Sequence, residues 1–510
     1  MVCKSYCAAT IGLEALLITV EINISMGIGI HLVGLPDSAV KESLLRVNIA
    51  LSSCGYRVPG KRIVINLAPA DLRKEGSGYD LAIAVGIIIA SGQSEFPNIK
   101  DYIIMGELAL NGDLRPIPGA LPIAIFAQKM GYKGCIFPSE SALEAQDVEG
   151  IAIYSVNNIR EAIEILSESE DNSKYIVKRL HKEESHLELQ LPNFRDVKGQ
   201  RVAKRGLEVA AAGGHNLILI GSPGSGKTFM ATCLPSILPP MNREESLETS
   251  KIYSIAGHSI CRSGLLKERP FRAPHHSASI TSLIGGGPNA TPGEISLAHN
   301  GVLYLDEIAE FPTKAIDNLR QPIEDGRVTI SRLRYKVTYP SSFMLIASMN
   351  PCPCGYYGQG DRCRCSQSMI NRYLSRVSGP ILDRIDMHIY VKAVESELLV
   401  GDSTEESSEV IAERVRRARE VQAERFKDCD IFTNAQMSAS QIRVFCTIDE
   451  PSKQFLNKAI SKLGLSARAY SRILKLSRTI ADLEGNESIT LKHISEAIQY
   501  RSLDRDSSYW

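Results

Sequence analysis

Three short stretches of this chain carry residue types and spacings suited to phosphate chemistry. Gly221-Ser222-Pro223-Gly224-Ser225-Gly226-Lys227-Thr228 has the G-x-x-x-x-G-K-[ST] pattern of a phosphate-binding loop. Its glycines let backbone N–H groups turn towards phosphate oxygens. Lys227 would reach the β- and γ-phosphates of a nucleotide, and Thr228 offers a hydroxyl to Mg²⁺. Further on, Asp306-Glu307 closes the apolar run Val302-Leu303-Tyr304-Leu305. At a strand tip after such a loop, the Asp suits the Mg²⁺ shell, and the Glu suits orienting and deprotonating a water. Asn350 follows a third apolar run, Phe343 to Ser348. It can touch the γ-phosphate or the water, or simply form the turn before Pro351.

These residues need strands to hold them. The apolar Leu217-Ile218-Leu219-Ile220 ahead of the loop supplies the strand–loop–helix context the motif requires. Residues 1–165 alternate strand-like pieces (Ile63 to Leu67, Tyr102 to Met105, Gly134 to Phe137) with helical spacing at Ser38 to Ser53, an α/β pattern. Residues 166–190 are charged and polar and read as a linker. Residues 191–393 form a second α/β unit with all the nucleotide chemistry. Residues 394–510 turn helical, with long amphipathic runs at Glu405 to Arg425 and Ser452 to Leu483.

Composition narrows the partners. Lysines plus arginines equal aspartates plus glutamates at 58 each, so any nucleic-acid binding must come from local patches. The most apolar run, Leu81 to Ala90, is far shorter than the roughly 20 residues a membrane span needs and reads as a buried helix. No membrane partner and a cytoplasmic location are expected. Twelve cysteines in so long a chain do not read as a disulfide framework. Eight are scattered and read as small buried hydrophobes. The other four, Cys352, Cys354, Cys363 and Cys365, suit a tetrahedral Zn²⁺ site, against the alternative of free loop thiols. Arg327 to Val337 alternates apolar and polar residues and predicts a hairpin with Arg332, Arg334 and Lys336 on one face. Such a face can grip a phosphate backbone without reading sequence, or be a solvated hairpin or subunit contact.

Longer motifs add a resemblance. Asp196-Val197-Lys198-Gly199-Gln200, Phe271-Arg272-Ala273-Pro274-His275-His276, Gly285-Gly286-Gly287 and Leu319-Arg320-Gln321-Pro322-Ile323-Glu324-Asp325-Gly326 surround the phosphate motifs. Together they resemble the AAA+ superfamily, in its magnesium-chelatase-like branch, and most closely the YifB/ComM family. The resemblance implies an AAA+ P-loop α/β core with a C-terminal helical lid, use of ATP and Mg²⁺, and assembly into a homo-oligomeric ring, usually a hexamer. It implies that Arg384, in Gly379-Pro380-Ile381-Leu382-Asp383-Arg384-Ile385-Asp386, is an arginine finger reaching a neighbour's γ-phosphate, with Arg376 the second choice. Arg468, in Leu465-Ser466-Ala467-Arg468, matches a sensor that contacts ATP in its own subunit.

The resemblance to ComM implies a motor on branched or single-stranded DNA that promotes branch migration. A magnesium-chelatase-type motor, a Lon-like protein-remodelling or peptidase machine and a non-enzymatic scaffold are the alternatives. Leu67 to Ala82 and Gly106 to Gly112 resemble the Lon-protease-like (ribosomal S5-type) fold. There the position of the nucleophilic Ser is Gly78, with Ser77 one place early. This implies a non-catalytic relative used for ring assembly or DNA engagement.

Overall fold

A computed structural model describes residues 2–167, 172–178, 191–258, 264–287, 290–331, 336–392, 405–464 and 466–501. The chain divides into two compact units: Met1–Ser185 with Asn242–Lys267, and His186–Met241 with Glu268–Trp510.

The first unit begins with the hairpin Val2–Ile11 and Glu14–Ser25, followed in sheet order by Arg62–Ala68 and the edge strand Gly29–Val33. Along Glu14–Ser25 the buried Ile18, Val20 and Ile22 alternate with less buried residues, the pattern of a sheet covered on one side. Helix Ser38–Ser53 starts where Asp37 accepts the Val40 N–H, an ordinary N-cap. Helix Asp80–Ala90 is buried almost all round, as its unbroken apolar text requires. A second sheet is parallel, in the order Tyr102–Ile104, Gly134–Pro138, Ala152–Val156. Part of the expected linker belongs here: Ile176 bridges Tyr154, and the Val177 N–H donates to Ile153 O at 2.9 Å.

Residues 242–267 also join this unit, although they lie between the nucleotide motifs in the chain. Helix Arg243–Ile255 is opened by a capping box in which Asn242 and Glu245 satisfy each other's backbone N–H. Arg243 pairs with Glu149 at 2.9 Å, Gly119 N–H donates to Ser254 O at 3.1 Å, and Leu265 N–H donates to Asp147 Oδ2 at 2.9 Å.

The second unit is built on a five-stranded parallel sheet in the order Phe271–Arg272, Val302–Leu305, Met344–Met349, Leu217–Gly221, Met387–Val391. Its central strands are buried from end to end, so they read as continuous apolar runs. Chain order reverses around Leu217–Gly221. In parallel sheets, ligands sit beyond the carboxyl ends of strands at such a point. The helices Ser408–Arg425, Ala467–Leu483 and Leu491–Gln499 share one buried core with this sheet: Leu219, Ile346 and Ile389 cluster with Val415, Ile473, Ile480 and Ile498. The single run expected over Ser452 to Leu483 is two helices. Gly464, left-handed at φ 63°, ends Glu450–Leu463, and Ser466 caps Ala467–Leu483. Among the described residues, no helix is long and apolar enough to cross a membrane.

Candidate nucleotide site

The loop between strand Leu217–Gly221 and helix Lys227–Cys233 turns through two left-handed glycines, Gly224 at φ 76° and Gly226 at φ 87°. Lys227 is largely buried. Its Nζ donates to Gly221 O at 2.7 Å, Ser222 O at 2.9 Å and Asn350 Oδ1 at 3.3 Å. Burial lowers the Lys227 ammonium below its usual value, while Asp306 and Glu307 pull it back up. Thr228 Oγ1 donates to Asp306 Oδ2 at 3.1 Å, so the hydroxyl and the carboxylate expected to share Mg²⁺ already meet.

Two residues not anticipated from the sequence hold the acidic pair. Tyr304 OH and Ser348 Oγ both donate to Asp306 Oδ1, at 2.8 and 2.5 Å. Ser348 Oγ in turn accepts the Glu307 N–H at 3.0 Å. Burial by itself would raise the Asp306 carboxyl. Hydrogen bonds from Ser348, Tyr304 and Thr228 outweigh it and hold the group below its usual range, ionised at neutral pH. Glu307 is exposed and left-handed at φ 51°, a conformation that costs a non-glycine residue energy and tends to occur at functional positions. The alternation of Tyr304 with Asp306 was a usable signal. Ser348 carried none, because it reaches Asp306 only through pairing of Val302–Leu305 with Met344–Met349.

The two candidate arginines lie together. Arg384 Nη2 meets Glu324 Oε2 at 2.5 Å and its Nη1 donates to Pro380 O at 2.7 Å. Arg468 Nη1 meets Asp383 Oδ2 at 3.1 Å, and its Nη2 lies 4.0 Å from Glu324 Oε1. Helix Ala467–Leu483 explains this, since Arg468 and Arg472 lie one turn apart and Arg472 pairs with Asp386 at 3.0 Å. In this chain Arg468 thus lies beside Arg384, with Glu324 near both. Arg376 instead pairs with Glu310 at 2.9 Å, just after the acidic pair.

Three family models match the chain in tandem. "Subunit ChlI of Mg-chelatase" covers residues 20–141, "Magnesium chelatase, subunit ChlI" covers 193–399, and "Magnesium chelatase, subunit ChlI C-terminal" covers 405–501. The uncharacterized protein YifB of Salmonella typhimurium is 43% identical over 98% of this chain and 96% of its own length. Competence protein ComM of Haemophilus influenzae is 43% identical over 98% of this chain and 97% of its own. The chain belongs to the YifB/ComM family. A shorter stretch of 105 residues is 33% identical to DNA repair protein RadA of Aquifex aeolicus, covering 20% of this chain and 22% of that protein. Membership of the family implies use of ATP and Mg²⁺.

The four clustered cysteines come together in the structure. The four sulfurs of Cys352, Cys354, Cys363 and Cys365 lie within 4.8 Å of one another. Closest separations are 3.3 Å for Cys352–Cys354, 3.7 Å for Cys354–Cys363 and 3.9 Å for Cys352–Cys363. Zn–S bonds of about 2.3 Å in a tetrahedron place sulfurs roughly 3.8 Å apart, so the set fits a metal. The expected hairpin is present as Arg327–Ser331 paired with Lys336–Pro340, with Val328, Ile330, Val337 and Tyr339 inward and Lys336 exposed. Arg332 and Arg334 lie outside the described residues. In the first unit, Ser77 Oγ donates to Glu107, and Lys74 donates to Pro69 O and to Leu72 O at 2.7 Å. A side chain at Gly78 would face Met105 Cε at 3.1 Å and Ile117 Cγ2 at 3.4 Å.

Proposed function

We propose that this chain is an ATP-hydrolysing ring motor that works on branched or single-stranded DNA and promotes branch migration. The observation that carries the reading is the convergence of Lys227, Thr228, Asp306, Glu307 and Asn350 at the ends of three neighbouring parallel strands, in a close relative of a competence protein. Thr228 and Asp306 are the residues that would hold Mg²⁺, which when bound neutralises charge on phosphate oxygens. Lys227 and Asn350 flank the γ-phosphate position. Glu307, fixed through its own N–H by Ser348, orients and deprotonates the attacking water.

Arg384 and Arg468 share Glu324 as a partner. A neighbouring subunit's phosphate would compete with that one carboxylate for both guanidinium groups. We therefore read both arginines as acting on the neighbour's nucleotide, in place of the own-subunit role expected for Arg468. A working site then needs two copies of the chain, which a closed ring, a hexamer by resemblance, provides throughout. The first unit is read as a Lon-like relative without peptidase chemistry, since Ser77 pairs with a carboxylate and Lys74 with backbone carbonyls.

The test is ATP turnover with and without single-stranded and branched DNA, followed by displacement of a labelled strand. DNA should raise turnover and strands should separate only with ATP. Turnover indifferent to DNA but raised by an unfolded protein would replace this reading with protein remodelling. The three magnesium-chelatase family models favour a second reading, a motor for metal insertion into a porphyrin. ATP-dependent metalation of a porphyrin would establish it.

A further inference from the structure

We propose that the four cysteines bind zinc and that this zinc loop braces the phosphate-binding loop, so that metal occupancy sets nucleotide affinity. The proposal rests on the reading of residues 221–228 as a nucleotide loop. Two contacts tie the cysteine segment to that loop. Asn350, two residues before Cys352, lies 3.3 Å from Lys227 Nζ. Gly355, the residue after Cys354, is buried against Pro223 in the middle of the phosphate loop: a Cβ built on it would stand 2.4 Å from Pro223 Cδ and 2.7 Å from Cγ. Gly355 is also left-handed at φ 84°, so only glycine both makes the turn and lets its backbone approach the Pro223 ring so closely.

Between these contacts sits the sulfur cluster. The Gly355 N–H donates to Cys352 O at 3.0 Å, a turn that keeps Cys352 and Cys354 close, their sulfurs 3.3 Å apart. From Pro351 to Ser366 the chain has one three-residue turn, Gly360–Arg362, and no strand. Such a loop has little of its own to fix Gly355 on Pro223. A metal closing four ligands supplies the constraint, since binding free energy at such a site becomes ordering free energy. Nucleotide affinity should then follow the metal, because the face of the phosphate loop at Pro223 loses its support when the cysteine loop frees.

Metal analysis of full-length protein purified without chelators should find one zinc per chain. Stripping it should weaken binding of a fluorescent ATP analogue about tenfold, equivalent to about 1.4 kcal/mol, with helix content unchanged by circular dichroism. One equivalent of Zn²⁺ should restore it. Gly355→Ala should keep its zinc and still lose affinity. Absence of zinc, equal affinity with and without it, or wild-type affinity in Gly355→Ala would each overturn the proposal. Zinc-loaded protein that binds no nucleotide at all would overturn the nucleotide-loop reading beneath it.

Discussion

At the scale of single residues, the acid pair is a hydrogen-bonded relay: Glu307 N–H to Ser348 Oγ, Ser348 Oγ to Asp306 Oδ1, with Tyr304 OH on the same oxygen. Removing the base should separate binding from chemistry. Glu307→Gln is expected to bind ATP as the wild type does and to lose turnover by about 100-fold or more, measured as steady-state phosphate release. Ser348→Ala acts one step back. The Asp306 value is depressed in the folded chain, so its stabilisation is present above the ordinary carboxylate range and is lost as pH falls through the folded value. Losing the Ser348 donor raises that value, and the acid limb of the pH–turnover profile should move to higher pH. A profile unchanged in Ser348→Ala would remove Ser348 from the site. The phosphate loop was legible because its residues are contiguous. Ser348 was not, because nothing local marks a serine that acts through the neighbouring strand.

At the scale of elements, the apolar runs read as strands are strands because a parallel sheet covered on both faces tolerates no polar alternation. The boundary at Gly464 was missed because the amphipathic period continues across it. The side-chain pattern outlasted the backbone, which breaks at a left-handed glycine. Pairing of Arg468 with Asp383 follows from helix Ala467–Leu483 lying along the Asp383–Asp386 turn, a tertiary fact with no sequence mark. The hairpin carries its own prediction. Lys336 is the first residue of the return strand and is exposed beside Ser331. If the hairpin holds a DNA backbone, Lys336→Ala should weaken binding equally across sequences and lower the salt slope of log K by roughly one. Fluorescence anisotropy at several salt concentrations checks this, and an unchanged slope would take Lys336 out of the interface.

At the scale of the whole molecule, the chain passes between its two units three times, around residues 185, 241 and 267. The outgoing and returning segments are pinned together in the second unit, where Arg269 donates to both Pro239 O and Asn300 O at 2.8 Å. Helix Arg243–Ile255 was legible as a helix from its capping box, but not as a member of the first unit, since capping carries no information about tertiary partners. Helix Arg243–Ile255 packs on helix Ala120–Lys129, which a fragment lacking residues 1–185 would not have. A fragment of residues 186–510 should be cut by protease within 243–255, while the full chain resists there.

The central claim is that the nucleotide site is completed by the neighbouring copy. Mixing two inactive variants tests it most directly. Arg384→Ala keeps its phosphate loop, and Lys227→Ala keeps its arginines. Co-assembled at equal amounts, roughly a quarter of head-to-tail interfaces would join an intact loop to an intact arginine. The account predicts that ATP turnover, absent in either variant alone, reappears in the mixture. A mixture as inactive as its components, in assemblies shown to contain both variants, would contradict it.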